Sequence, residues 1–512
     1  MRKALIWSAF LALAASAVLI FIHGVAPGLR EVARRRTELY FKSHFRSTVQ
    51  ISDFRVLALY PRVRVALGGV VLRHEGRPDV PPLMEIRRAT FDTPLWSILT
   101  RRPVLNAVSL EGLQIRVPSH PNFPLIPRFD EKLPNDYPVM IKDVHAEDIL
   151  LEILPRDASK RPREFAIHHL ALGPVGLGHP AKFEAALTNP VPKGEIRTNG
   201  VFGPWNRDDP AETQVNGSYV FENANLGTLK GLSGILSSSG KFSGPLDYLS
   251  VDGETDTPNF SLRTSNQPLD LHTDFSAIVD GTNGNTILKD VFARFLSSTL
   301  NVRGEVVDRT PKKGRTIILN AATSGARVED LLRLALGSSP SMTGAAQLRT
   351  QIYIGEGDED LVERMKLDGQ FDVRNAQFTS ASTAHKIETL SLKGQGKPGQ
   401  PPTGDPVSEF GGRFRVDRGM VSLSQLNFSV TGASITLRGN YNLDTRRLDF
   451  RGKLRLQAKL SQTTTGVKSF FLKAVDPFFE GKNAGTILPI KITGTKERPI
   501  FGTDFHDKQN RD

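Results

Sequence analysis

Gly394-Gln395-Gly396-Lys397-Pro398-Gly399 spells G-x-G-x-x-G, the pattern that cradles a pyrophosphate when it opens a helix. Here Gln400-Pro401-Pro402 follows, which cannot start a helix, so no helix N-terminus is offered to a phosphate. His168 and His169 are the next candidates, as metal ligands. On a regular strand two neighbours point to opposite faces, so they are not expected to share an ion. Gly355-Glu356-Gly357-Asp358-Glu359-Asp360 is acidic but lacks the spaced oxygen ligands of a calcium loop, and reads as a solvated turn leading into a helix N-cap. The chain has no cysteine, which removes disulfides, thiolate metal sites and cysteine nucleophiles together. It also lacks the Walker A, H-E-x-x-H and G-x-S-x-G patterns. No enzymatic activity, cofactor or metal is expected.

The chemistry that remains is solvation. From Gly412 to Phe479 the sequence alternates apolar and polar residues. Phe414 and Val416 begin the apolar set, followed by Leu426, Phe428 and Val430, and by Ile435 and Leu437. Tyr441 and Leu443 come next, then Leu448, Phe450, Leu454 and Leu456. A period of two places the apolar members of a strand on one face. Gly419, Gly432, Gly439 and Asn442-Leu443-Asp444 stand where hairpin turns are expected. The stretch therefore predicts an antiparallel meander with one apolar face, followed by a short amphipathic helix over about Thr465–Val475 that Pro477 stops. An apolar face must be covered. It is either the core of a sandwich or barrel, or an open sheet that holds lipid chains.

Strand patterns fill most of the remaining chain. Val49–Pro118 is a small β-rich unit with a short helix at Leu95–Leu99, and residues 119–138 read as a linker or lid rich in Pro and charge. Strands resume at Val139 and run to about Val307. Helices are expected at Arg327–Leu336 and Glu359–Met365, a strand at Leu348–Ile354, a loop over Lys393–Pro406 and a last strand at Thr486–Gly494. A short repeat, Gly-x-aromatic-x-apolar, a small residue at a tight turn, then an apolar residue, begins at Gly217, Gly369 and Gly412. It suggests units added along one sheet axis.

The first residues set a different expectation. Arg2-Lys3 precede an uncharged run over residues 4–22, close to the ~20 residues that span a bilayer. Ala15-Ser16-Ala17 resembles a signal-peptidase site, but Val18-Leu19-Ile20-Phe21-Ile22 continues the apolar run beyond it, which favours an uncleaved anchor. A juxtamembrane helix is expected at Glu31–Phe45, and Arg30, Arg34, Arg35 and Arg36 form a basic collar suited to lipid headgroups. By the positive-inside rule alone this collar would hold the body in the cytoplasm. The formal net charge of +12 calls for an acidic partner, nucleic acid or an anionic membrane. No RNA-binding aromatic motif, helix-turn-helix or zinc finger is present, so nucleic acid is not expected.

Three stretches carry a family resemblance. Thr37–Pro118, with VQISDFRV, PPLMEIRRA and VSLEGLQIRVP, resembles the start of AsmA-like proteins of the bacterial envelope. Gly244–Phe260 (GPLDYLSVDGETDTPNF) is similar to a middle segment of those proteins, and Phe410–Phe501 to their C-terminal region. The resemblance covers about half the chain and rests on strand patterns. It implies a single-pass inner-membrane protein with the bulk of the chain in the periplasm, against the charge count. Larger relatives of the TamB and YhdP types resemble bridge-like lipid-transfer proteins, so the implied fold is mainly β: an N-terminal transmembrane helix, then an elongated, curled antiparallel sheet with an apolar groove and a few short helices. At ~25–30 strands of ~4.8 Å each, such a sheet is at most ~120–145 Å long. The implied regions are the anchor and collar (1–36), an N-terminal AsmA-like unit (37–118), the linker (119–138), a middle sheet (139–360), an AsmA-like C-terminal region (361–502) and a polar tail (503–512). The implied partners are phospholipid, held by the apolar residues named above, and outer-membrane or envelope proteins. A membrane-anchored scaffold or chaperone for outer-membrane protein assembly, with sheet edges open to partner strands, is the alternative.

Overall fold

The computed structural model describes residues 47–503 apart from 59–61, 75–80, 95–96, 98–103, 119–139, 155–162, 176–178, 205–209, 282, 310–313, 338, 358, 402–407, 459–486 and 497. The expected anchor, basic collar and juxtamembrane helix lie outside the described residues. So do the linker, the helix at Thr465–Val475 and, but for Ser97, the helix at Leu95–Leu99. Among the described residues no helix is long and apolar enough to cross a membrane.

The described residues form 24 strands and few helices. They fall into two compact units. One holds the residues up to Thr228 with Leu236–Glu254 and Ser276–Thr286, and the other holds Leu229–Ile235, Thr255–Phe275 and the residues from Ile287 on. Strands β11 (Ile235–Pro245), β12 (Leu249–Leu262), β13 (Leu269–Val279) and β14 (Thr286–Phe295) give residues to both.

In the first unit β1 (Ser47–Ala58), β2 (Arg62–His74), β3 (Met84–Pro94) and β4 (Val104–Pro118) pair antiparallel in order. Strand β5 (Met140–Leu154) then lies parallel to β4, with Val104 opposite Met140 and Pro118 opposite Leu154. The sheet is therefore mixed, not antiparallel throughout. A parallel neighbour requires a crossover of a dozen or more residues, and residues 119–139 supply that length. Antiparallel pairing resumes through β6 (Arg163–Gly173), β7 (Ala181–Pro190), β8 (Lys193–Phe202) and β9 (Gln214–Asn225). The apolar faces of β1–β5 meet in one cluster that includes Val49, Val63, Ile86, Leu105, Val108, Ile141 and Val144, all buried.

In the second unit ten strands pair antiparallel in chain order. They are β15 (Ser298–Val307), β16 (Thr316–Arg327), β17 (Met342–Ile354), β18 (Met365–Phe378), β19 (Ser408–Asp417), β20 (Met420–Val430), β21 (Ala433–Asn442), β22 (Arg447–Leu456), β23 (Ile487–Thr495) and β24 (Pro499–Thr503). The expected meander is present. Gly419 (φ 72°) and Gly432 (φ 83°) make its hairpin turns. Gly439 does not turn the chain: it lies inside β21, opposite Leu423 and Phe450. Strand β17 starts at Met342, earlier than its alternation suggests, because Gly344 and Ala346 bury against helix rather than presenting bulky apolar residues.

The helix expected at Arg327–Leu336 is α1 (Val328–Ala335), and the turn near Glu359 is α2 (Leu361–Arg364). Asp360, just before α2, pairs with Arg263 at 2.7 Å. A third helix, α3 (Ala381–Gly394), has no counterpart in the sequence reading, and its last residues occupy the start of the expected Lys393–Pro406 loop.

Candidate functional site: an apolar sheet face

Residues directly opposed across neighbouring strands share a face, and the register of β15–β23 aligns the apolar ones in rows. One row is Val302, Ala321, Thr350, Gly369, Phe414, Leu423, Gly439, Phe450 and Ile492. Beside it run Leu319, Ile352, Leu367, Val416, Val421, Tyr441 and Leu448. On the other side lie Leu348, Phe371, Gly412, Leu426, Leu437, Gly452 and Ile490. Next come Ala346, Val373, Phe410, Phe428, Ile435, Leu454 and Leu488, and last Ala376, Ser408, Val430, Ala433 and Leu456.

Of the residues singled out from the sequence, all but Leu443 stand in these rows. Leu443 sits in the turn after β21, its N–H donating to the Gly419 carbonyl. Val421 and Leu423 belong to the face but break the parity of Leu426, Phe428 and Val430. A bulge in β20 between Leu423 and Leu426 takes up the odd residue and returns both sets to one side. Gly369 shows why glycine recurs here: a Cβ on it would stand 2.9 Å from Cζ of Phe414, in the space of the ring. Phe371 packs against Phe410 and Phe414 with ring centroids 5.4 and 6.2 Å apart.

Helices cover one margin of the face. Val328, Leu331 and Leu332 of α1 pack on Met342, Ala346, Val373 and Ala376. Ile387 and Leu390 of α3 join the cluster of Phe428, Val430, Ala433 and Leu456. Phe428, Val430 and Leu456 are thus core residues beneath a helix. Among the described residues neither helix-bearing cluster includes Phe414, Val416, Leu426, Leu437, Tyr441, Leu448 or Phe450. Of these, Val416, Leu426, Leu437 and Phe450 are buried and the others half-buried.

The sequence's candidates for reactive chemistry are placed as follows by the fold. The glycine run ends α3 instead of beginning a helix. A Cβ on Gly394 would lie 2.3 Å from the Gly432 carbonyl oxygen, so the run serves close approach of α3 to the β20–β21 turn. His168 and His169 do not face opposite sides. A bulge in β6 between Ile167 and His169 places His168 beside Thr188, at 2.7 Å, while His169 opposes Ala186 on the same face of β7. Thr188 donates in turn to Glu195.

The polar face of the second unit differs in kind. Its cleft of about 990 Å³ is bordered by Asn301, Arg303, Asn320, Arg349, Gln370 and Arg413. Across the strands Arg415 pairs with Asp368, Lys366 with Asp417 and Arg303 with Asp290. No family model, curated protein or solved structure matches the chain.

Proposed function

We propose that the chain is a lipid-handling protein of the bacterial envelope, anchored in the inner membrane and periplasmic. Its apolar face holds phospholipid acyl chains during transfer toward, or homeostasis of, the outer membrane. The observation that carries this reading is the set of apolar rows that crosses β15–β23, with helices, among the described residues, over one margin. An acyl chain in water costs about 0.8 kcal/mol per CH₂, and a face continuous from strand to strand removes that cost at each step without any reacting residue. The resemblance of Thr37–Pro118, Gly244–Phe260 and Phe410–Phe501 to AsmA-like proteins points the same way. The lipid floor on this reading is Phe414, Val416, Leu426, Leu437, Tyr441, Leu448 and Phe450, and α1 and α3 close its margin.

The test is lipid occupancy. The full chain is purified, extracted and analysed by mass spectrometry against a mock purification, alongside a Phe414→Asp, Ile492→Asp double variant. Both positions are half-buried and away from the helices, so the variant is expected to fold. Phospholipid that is bound by the wild type and absent from the folded variant supports the reading; a folded wild type free of lipid overturns it. The alternative of a scaffold for partner strands draws on β24, a five-residue strand paired only to β23 among the described residues, with Ile500 and Phe501 63% and 66% exposed.

A further inference from the structure

The polar face of the second unit carries one cross-strand row without an acid. In register order from β17 to β23 it reads Arg349, Gln370, Arg413, Gln425, then, past the β20 bulge, Arg438, Arg451 and Lys491. Arg438 stands directly opposite Arg451, and Arg451 directly opposite Lys491. Like charges in that relation repel. Strand β22 adds Arg447, Lys453 and Arg455 on the same face, against a lone acid on that strand's polar face, Asp449.

Elsewhere the sheet pairs its charges across strands: Arg64 with Asp92, Arg88 with Glu111, Arg116 with Glu152, Arg197 with Glu222 and Arg415 with Asp368. Arg349, Arg413, Arg438, Lys453, Arg455 and Lys491 have no ion pair among the described residues. These six cations, gathered in one patch without ion pairs among the described residues, mark a surface whose counter-charge comes from outside the chain. The patch is two-dimensional. Its row crosses seven strands, about 29 Å, and β22 extends it along the strand by about 27 Å.

We infer that the polar face of β17–β23 docks on the anionic headgroups of a bilayer surface. Single-stranded nucleic acid also offers phosphate, but its binding surfaces interleave aromatic platforms with the cations. The polar face of β17–β23 carries one aromatic residue, Tyr353 on β17, and none on β18–β22, where Gln, Ser, Asn and Thr stand between the charges. A planar array of headgroups needs none. This inference goes beyond acyl-chain binding on the opposite face and stands without it, since the charges involved are separate from the apolar rows.

The experiment captures vesicles. The full chain is reconstituted in phosphatidylcholine vesicles immobilised on beads and offered dye-loaded vesicles of phosphatidylcholine alone or mixed with phosphatidylglycerol. Capture is expected for the anionic vesicles only, and is expected to fall as salt rises. Each cation near such a surface contributes about fivefold in affinity. The triple variant Arg438→Gln, Lys453→Gln, Lys491→Gln is therefore expected to lose about 100-fold, while Arg197→Gln in the first unit changes nothing. Melting temperature separates docking from folding: relieving like-charge contacts should leave it unchanged or raise it. Equal capture by wild type and triple variant, or equal capture of neutral and anionic vesicles, overturns the inference. So does a triple variant that keeps vesicle capture but loses binding of a single-stranded RNA oligonucleotide.

Discussion

Asp330 holds α1 to the sheet, and removing it should uncover the margin of the apolar face. The residue is 8% exposed. Oδ2 accepts from the Ser297 N–H at 3.0 Å and the Ser298 hydroxyl at 2.7 Å, and Ser298 Oγ accepts the Arg327 N–H at 3.0 Å. One carboxylate thus ties the β14–β15 turn to the first turn of the helix, where the helix dipole also favours an anion. In Asp330→Ala both donors lose a charged acceptor in a buried place. Hydrogen bonds to charged groups contribute about 1.5–3 kcal/mol each. The two share an oxygen and are not additive, so the expected cost is about 3 kcal/mol. For a unit of this size that lowers the melting temperature by roughly 6–12 °C. Because Val328, Leu331 and Leu332 leave Ala346, Val373 and Ala376 when α1 detaches, binding of a hydrophobic dye should rise below the main transition. Asp330→Asn keeps an acceptor oxygen and should recover about half of the loss. A melting temperature for Asp330→Ala within ~1 °C of wild type, with unchanged dye binding, would refute the assignment of this carboxylate as the tether.

Three further outcomes follow from the same geometry. Gly394→Ala puts a Cβ 2.3 Å from the backbone oxygen of Gly432, which cannot swing aside; it should cost roughly 1–3 kcal/mol and speed hydrogen exchange in α3. Arg116 donates to Glu85 at 2.6 Å and Glu152 at 2.7 Å. Burial opposes its charge, but the hydrogen bonds and attraction of the two carboxylates prevail and hold its pKa above the usual value. Arg116→Ala strands Glu152, whose side chain is 13% exposed, and should lower denaturant stability by about 2–3 kcal/mol; Glu152→Gln in the same chain should restore much of it. The hydrogen bond of His272 to Asp256, 2.6 Å, raises the imidazole pKa from its usual 6.5, against some desolvation. The stabilisation is complete below pH 6.5 and is lost as pH rises through the folded-state value, so His272→Ala should flatten stability against pH in that window. An NMR titration midpoint for His272 at or below 6.5 would contradict this.

The period of two made the meander from Phe414 to Leu456 legible, because there each strand carries large apolar residues on one side and charge on the other. It failed where register bends. The bulges in β20 and β6 each insert one residue, and alternation counted straight through them assigns Leu423 and His169 to the wrong face. Upstream members of the face, Leu348, Ile352, Leu367 and Phe371, alternate just as cleanly. Leu348 and Ile352 lie in the expected strand Leu348–Ile354, and Phe371 in the repeat that begins at Gly369. Helix α3 lacks an obvious apolar stripe: Ile387 and Leu390 carry its packing, and its buried residues are Ser391 and Gly394. The Ser391 hydroxyl bonds the Thr431 carbonyl at 2.8 Å, a contact that no periodicity foretells. The parallel β4–β5 pair was equally hidden, since a strand's sequence does not state its neighbour's direction.

The two units treat the same raw material differently, and that difference bears on function. In the first, the apolar faces of β1–β5 close on one another, and side chains such as Val63, Leu105 and Ile141 are fully withdrawn from water. In the second, the buried clusters form where α1 and α3 lie, and the rows through Phe414, Leu426 and Val416 extend beyond them across strand after strand. Glycine at positions 369, 412, 439 and 452 keeps those rows free of bulk between the aromatic and aliphatic members. A chain of about 15 CH₂ groups costs roughly 12 kcal/mol to hold in water, so a conduit needs continuity more than it needs one tight site. Any charged gap of a few ångströms would impose part of that cost as a barrier. The absence of Asp, Glu, His, Lys and Arg from these rows, set against a polar face dense in arginine and lysine, is the arrangement that the proposed transfer would require.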